Sequence, residues 1–441
     1  MDTLDIYMNG IRVGEYQRDR RGANIFTYDT DWLSSPGRRS LSLSLTLRPE
    51  RYTGPQVYNF FDNLLPDSRE IRERMVARFK ANSTEPFDIL SQVGRDCVGA
   101  IQLVPSGAAA PTIKRIEASA LTDTELAKIL NGYQAKKPLG MLDDTQDFRI
   151  SLAGAQEKTA LLFHQGHWCL PHNATPTTHI IKLPIGEIRS HDRVIDMTHS
   201  VENEYLCLKI AKAYGFETAN CQMIMPDGIK ALAVERFDRK MAPDNSWIMR
   251  LPQEDFCQVS GTSPARKYEV DGGPSISIIM QELLGAANPI HDRETFMRTQ
   301  VLFWLLGATD GHAKNFSIFL ERQDQYRLTP LYDILSAFPA ISKKGLHEKD
   351  LRLAMSLKGS KGRETECRLI GPEHFFNTAG EVGFPLSSME RILHEMGSMT
   401  ADLINKVAGE LPAGFPSFIA EPIFEGMQRY SQRLLSLAKQ R

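Results

Sequence analysis

The chain has 441 residues, enough for two or three domains and a large core. Its 42% hydrophobic and 24% charged residues are ordinary for a globular protein, and a formal net charge of -2 argues against an overall electrostatic grip on nucleic acid, leaving only a local patch open. Six cysteines are scattered without a C-x-x-C pair, which speaks against a zinc site or disulfide framework. The acidic start lacks a signal-peptide core and no apolar run reaches membrane-spanning length, so the expectation is a soluble, cytoplasmic protein with no membrane partner.

Residues 1 to about 105 read as β-rich with a helix. Leu4 to Met8 is strand-like, and Asn9-Gly10 signals a hairpin turn before Ile11 to Gly14. Ser40 to Leu45 alternates serine and leucine, the pattern of a half-buried strand. Phe60 to Ser68 leads into a charged helix from about Arg69 to Lys80; its polar members fit caps and turns as well as any site. Ser106 to Pro111 is the best linker candidate, and Leu121 to Leu130 follows as a helix.

Phe148 to Leu152 is strand-like, Ala153-Gly154-Ala155-Gln156-Glu157-Lys158 is a tight loop, and Thr159 to Phe163 is a second strand. Small side chains in such a loop let backbone N–H groups approach phosphate oxygens, although a plain hairpin has the same pattern. Lys182 sits in the apolar run Thr178 to Pro184. A cation there needs an anion, such as phosphate with a helix glutamate, or it snorkels from an edge strand. A helix from about Thr198 to Tyr214 offers Glu204, with Glu202 as the competing choice. Ala231 to Asp238 is a strand that turns polar at its end. The backbone of Glu235, Arg236 and Phe237 could line a purine edge there, or the strand simply ends in a salt-bridged loop.

From Asp255 onward helical apolar spacing dominates, over Ser275 to Leu284, Arg293 to Leu306, Met389 to Leu411 and Glu421 to Lys439. Within that half, the apolar run Val301 to Leu306 delivers the chain to Gly307-Ala308-Thr309-Asp310-Gly311-His312-Ala313-Lys314-Asn315. Two strand-like runs follow, Phe316 to Leu320 and Tyr326 to Leu328, and then Leu331-Tyr332-Asp333. One carboxylate to orient a hydroxyl, an amide oxygen for a metal and a second carboxylate returned by a hairpin are the parts of a kinase centre. Mg²⁺ prefers such oxygen ligands when nucleotide phosphates complete its shell. A strand-rich first half and helix-rich second half make an α+β protein with two lobes.

Taken together, Phe60 to Ser68, Gly94-Arg95-Asp96, Ser151 to Thr159, His179 to Lys182, Asn203-Glu204, Val234 to Arg239, Gly307 to Asn315 and Leu331 to Asp333 resemble the HipA-type serine/threonine kinases, the toxin half of HipBA toxin–antitoxin pairs. The resemblance implies a two-lobed, protein-kinase-like fold. It has a β-rich N-terminal lobe with an extra N-terminal subdomain (1–110), a nucleotide-binding part (113–255) and an all-helical C-terminal lobe (256–441). It implies ATP and Mg²⁺ as cofactors. Ala153, Gly154, Ala155, Gln156, Glu157 and Lys158 would form the flap, Lys182 would meet phosphate, and Glu235, Arg236 and Phe237 would form the adenine hinge. Asp310 would be the proton acceptor, with His312, Ala313, Lys314 and Asn315 against the phosphates and Tyr332 and Asp333 beside the metal. Asn315 and Asp333 would ligate that metal, and Ser151 would be autophosphorylated. Implied partners are a helix-turn-helix antitoxin dimer, operator DNA through that complex, and glutamyl-tRNA synthetase as substrate. A small-molecule phosphotransferase and a kinase-fold corepressor are the rival readings. For the latter, Lys343, Lys344, Lys358, Lys361 and Arg363 form a basic region that either touches DNA or is a solvated loop.

Overall fold

The computed structural model describes residues 2–134, 158–190, 193–342 and 345–436. The chain forms two compact units, each built from separated stretches. The first comprises Met1–Leu183, Ile224–Lys267 and Ser317–Tyr326, and the second Pro184–Met223, Tyr268–Phe316 and Arg327–Arg441.

In the first unit an antiparallel sheet runs in the order Tyr52–Thr53, Asn24–Tyr28, Ile11–Arg18, Asp2–Met8, Ile101–Pro105. Asn9 and Gly10 take φ of 47° and 79°, the left-handed pair that a two-residue hairpin turn requires. Leu4, Ile6, Val13, Tyr16 and Phe26 lie on the buried face of this sheet. Phe60, Phe61, Leu90 and Val93, from the helices Pro55–Asp62 and Pro86–Val93, complete the same core. Tyr16 stacks on Phe61 with centroids 3.8 Å apart. The charged helix is present as Arg69–Phe79, capped by Ser68.

Ser40 to Leu45 is not the expected strand. It makes a turn closed by an isolated Ser42–Leu45 bridge. Ser42 Oγ and the Leu43 N–H both donate to the buried carboxylate of Glu254, at 2.5 and 2.8 Å. Leu41 and Leu45 are buried, but so are Ser40 and Ser42, so the alternation does not divide a buried from an exposed face.

A second antiparallel sheet carries, in order, Ala231–Glu235, His179–Lys182, Lys158–His164, His167–Pro171 and Ala118–Ala120. Leu126 and Leu130 of the helix Asp123–Gln134 pack with Leu161, Ile181 and Ala233 of this sheet. Thr122 and Glu125 form a reciprocal capping box at the helix start.

The first unit also holds a buried ion cluster. Asp96 accepts from Arg239 at 3.0 Å, from Arg250 at 3.1 Å, and from the Thr177 N–H and hydroxyl at 3.1 and 2.7 Å. Asp238 accepts from Arg236 and from the Gly99 N–H. Burial alone would raise the Asp96 carboxyl, but Arg239, Arg236 and Arg250 outweigh it and hold it well below the usual carboxylate range. Asp238 is lowered against burial in the same way by Arg236 and Arg239. Arg239 is brought down to about 10, chiefly by burial and then by Arg236, and so stays charged near neutrality.

The second unit is mainly helical, built on Ser200–Ala213, Pro289–Leu306, Leu386–Gly409 and Ser417–Ser436. Trp304 anchors it, stacked on Tyr430 at 4.7 Å, with its Nε1 donating to the Cys367 carbonyl at 2.9 Å. The strands expected after the Gly307–Asn315 loop are present as Ser317–Leu320, which belongs to the first unit, and Tyr326–Leu328. The C-terminal half carries a further strand pair, Arg352–Lys358 with Arg363–Glu366, and a short helix, Pro372–Glu381, none of which the sequence pattern announced. Among the described residues no helix is long and apolar enough to cross a membrane.

Removing one partner from a buried ion cluster strands the others. Asp96→Asn is expected to cost about 3–5 kcal/mol of stability at pH 7, read from chemical denaturation. Because the folded-state pKa of Asp96 lies below its unfolded value near 4, its contribution is complete above that value. It is lost as pH falls toward the folded pKa. Wild-type stability therefore drops on acidification below about pH 5, and the variant shows a shallower drop.

Candidate active site

In the first unit, Lys158, the last of the expected flap residues, and Lys182, the expected phosphate lysine, are neighbours. Lys158 opens the strand Lys158–His164 and lies directly opposite Lys182 in the antiparallel register. Directly opposed residues share a face of the sheet, and like charges there repel. Lys182 is only 6% exposed, and a cation so buried is stable only beside groups that offset its charge. The flap residues Ala153, Gly154, Ala155, Gln156 and Glu157, together with Ser151, lie outside the described residues.

The end of the strand Ala231–Glu235 has a divided role. Glu235 is exposed and lies opposite His179, whose imidazole is lowered by burial, an effect partly offset by Glu235. The Arg236 N–H donates to the Thr178 carbonyl at 2.8 Å. Its guanidinium is turned into the ion cluster, with all five donors used on Asp238, Asp96, Thr177 and the Cys97 carbonyl. Arg236 thus holds this turn in place and offers no side-chain donor to a ligand. Phe237 packs edge-on against Phe319 at 5.7 Å.

In the second unit, the helix Pro289–Leu306 ends at Gly307, left-handed at φ 57°, and a Cβ there would meet the Phe338 ring at 2.8 Å. The loop beyond is tied to itself. The His312 N–H donates to the Asp310 carbonyl, and the Asn315 N–H to the His312 carbonyl. The Asn315 side-chain amide donates to the Asp310 carbonyl at 2.6 Å. That bond commits Nδ2 to the loop itself. Asn315, His312 and Lys314 are buried, whereas the Asp310 side chain is 61% exposed.

Asp333 is brought to this loop by its neighbours. Leu331 exchanges backbone bonds with Glu217 and Ala219, and the Tyr332 hydroxyl donates to the Lys314 carbonyl at 2.8 Å. Asp333 itself is left-handed at φ 58°, a conformation that Asp tolerates better than most residues. Beyond it, Ser336 Oγ donates to the Leu306 carbonyl at 2.6 Å and the Ala337 N–H to the Gly307 carbonyl at 3.0 Å. Asn203 then clamps the Ser336 backbone with both ends of its amide, each at 2.8 Å. Its neighbours Glu202 and Glu204 are both buried.

Tyr268, which no motif marked, also meets this loop. Its hydroxyl donates to Asp310 Oδ1 at 2.6 Å, and its ring meets His312 edge-on at 4.9 Å. Of the basic region, Lys343 and Lys344 lie outside the described residues. Lys358 and Arg363 face each other at a hairpin end, and Arg363 pairs with Glu381 at 2.9 Å.

Comparison with known proteins adds a second line. Residues 150–403 match the HipA-like C-terminal domain and residues 4–104 the HipA N-terminal domain. The Y4mE protein of Sinorhizobium fredii, named as a kinase, is 30% identical over 416 residues, covering 92% of this chain and 91% of its own. The serine/threonine-protein kinase toxin HipA of Shewanella oneidensis is 28% identical over 358 residues, covering 76% and 75%. A solved chain from the Shewanella oneidensis MR-1 complex of HipA, HipB and its operator DNA superposes with a TM-score of 0.79 at 22% identity, over 99% of both chains. The two share a fold.

The loop geometry allows no side chain at one point. A Cβ on Gly311 would fall 2.3 Å from the Phe303 ring. Gly311→Ala should cost about 1–3 kcal/mol in thermal denaturation, as overpacked sites do. Phe303→Leu in the same chain should recover part of that loss.

Proposed function

The chain belongs to the HipA family, and from that premise we propose that it is an ATP-dependent serine/threonine protein kinase acting as the toxin of a toxin–antitoxin pair. The observation that carries this reading is the tie between the Asn315 amide and the Asp310 carbonyl, with Tyr332 bonded to the Lys314 carbonyl beside them. It supports the reading because it holds Asp310 and Asn315, two of the residues to which the reading assigns phosphoryl transfer, against each other.

Asp310 takes or orients the proton of a protein hydroxyl, and its exposure leaves it open to a macromolecular substrate. Asn315 Oδ1 and the Asp333 carboxylate are the residues that would hold Mg²⁺. Their hard oxygens suit it, and among the described residues no cluster of three His, Cys, Asp or Glu competes as a metal cage. When bound with ATP, the ion neutralises phosphate charge. Lys182 binds phosphate oxygens, with Lys158 opposite it on the same sheet face, and the backbone of Glu235 to Phe237 lines the adenine. Ala153 to Lys158 serve as the flap, and His312, Ala313 and Lys314 lie along the phosphates.

The finer assignments follow the family resemblance. The substrate is glutamyl-tRNA synthetase, whose modification halts tRNA charging and growth. Ser151 is autophosphorylated. A helix-turn-helix antitoxin dimer binds the chain, and the complex represses its own operator.

Asp310→Gln is expected to keep ATP affinity within about twofold by calorimetry. It should lower label transfer from ATP to purified glutamyl-tRNA synthetase by at least about a hundredfold. Transfer at the wild-type rate would remove Asp310 from its role, and label found only in small molecules would favour a different phosphotransferase. Ser151→Asp should weaken ATP binding, since a phosphate carrying about two negative charges beside the flap repels those of ATP. Equal affinity by calorimetry would contradict that.

A further inference from the structure

Asp310 presents a physical problem. A carboxylate that is 61% exposed has little packing to fix its rotamer. The structure supplies one restraint from outside the loop. Tyr268 lies 42 positions away in sequence, and its hydroxyl donates to Asp310 Oδ1 at 2.6 Å. The other oxygen, Oδ2, stands 4.0 Å from His312 Nε2, beyond hydrogen-bond length.

The phenol is itself held by a separate framework. Its neighbour Glu269 accepts from the Ser356 N–H at 2.5 Å and the Ser356 hydroxyl at 2.8 Å, on the strand Arg352–Lys358. The Tyr268 ring also rests edge-on against His312, which is buried. The hydroxyl therefore occupies a position fixed by two contacts that do not involve Asp310.

We infer that Tyr268 is a positioning residue for phosphoryl transfer: it clamps Asp310 Oδ1, so that Oδ2 is the oxygen presented to the substrate hydroxyl. This rests on the kinase reading above. The arrangement also has an opposite functional form, in which the phenol occupies the substrate's place and must leave before reaction. The two differ in the sign of their effect on rate.

The test uses the full chain with γ-labelled ATP, following label into the chain itself and into purified glutamyl-tRNA synthetase. Tyr268→Phe keeps the ring and removes only the hydroxyl. It should lower kcat about tenfold, with KM for ATP within about twofold and an unchanged melting temperature. In an Asp310→Asn background the same change should have no further effect on the residual rate, a coupling that a merely structural tyrosine would not show. If Asp310→Asn is inactive while Tyr268→Phe keeps or raises kcat, the clamp falls and the kinase reading stands. If Asp310→Asn labels at the wild-type rate, or the wild type labels nothing, the kinase reading falls and takes the clamp with it.

Discussion

The last carbonyls of a buried helix must find donors, and at Leu306 and Gly307 they find them on a stretch some thirty positions further along the chain. The Ser336 hydroxyl and the Ala337 N–H meet that need. In doing so they fix where the segment containing Tyr332 and Asp333 runs. Asn203 reads the same Ser336 backbone from a third element, so one serine joins a helix end, a loop and a second helix. Residues 310 and 333 sit on irregular backbone and Asn315 closes a single 3-10 turn, so no long helix or strand fixes their positions, and cross-links of this kind do.

The molecule gives its buried guanidiniums one task, and the proposed function gives two lysines and Asp310 another. Arg236, Arg239 and Arg250 are spent on Asp96, Asp238 and carbonyl oxygens in a fully buried setting. Lys158 and Lys182 instead share one sheet face, and Asp310 stands largely in solvent. Guanidinium suits the first task because its planar fork saturates several acceptors at once. Lysine suits the second as a compact point charge for phosphate.

Much of the framework was legible because it rests on local pattern. The Asn9-Gly10 turn, the Ser68 cap and the long helices all follow from residues within a few positions of one another. The Asp310–Asn315 spacing was legible for the same reason. What escaped depends on distant partners. Serine and leucine alternate at residues 40–45 as in a strand, but Glu254, more than two hundred positions away, draws the serine end into a turn. The opposition of Lys158 and Lys182 is a matter of register, which neither strand states alone. Tyr268 carried no signal, being a single tyrosine outside any motif. The salt-bridged loop at the end of Ala231 to Asp238 was one of the two readings open there, but its partner Asp96, 140 positions before Arg236, was not legible.

That last separation has a bearing on biosynthesis. Asp96 leaves the ribosome well before any of its three cationic partners, and Arg250 follows it by 154 positions. At the pace of translation, roughly 5–20 residues per second, the nascent chain carries this aspartate for roughly 8–30 s before its last counterion exists. The amino-terminal sheet can pair in that interval. The turn around Asp96 cannot reach its final charge state, so this corner should be a late-maturing and chaperone-exposed part of a newly made molecule.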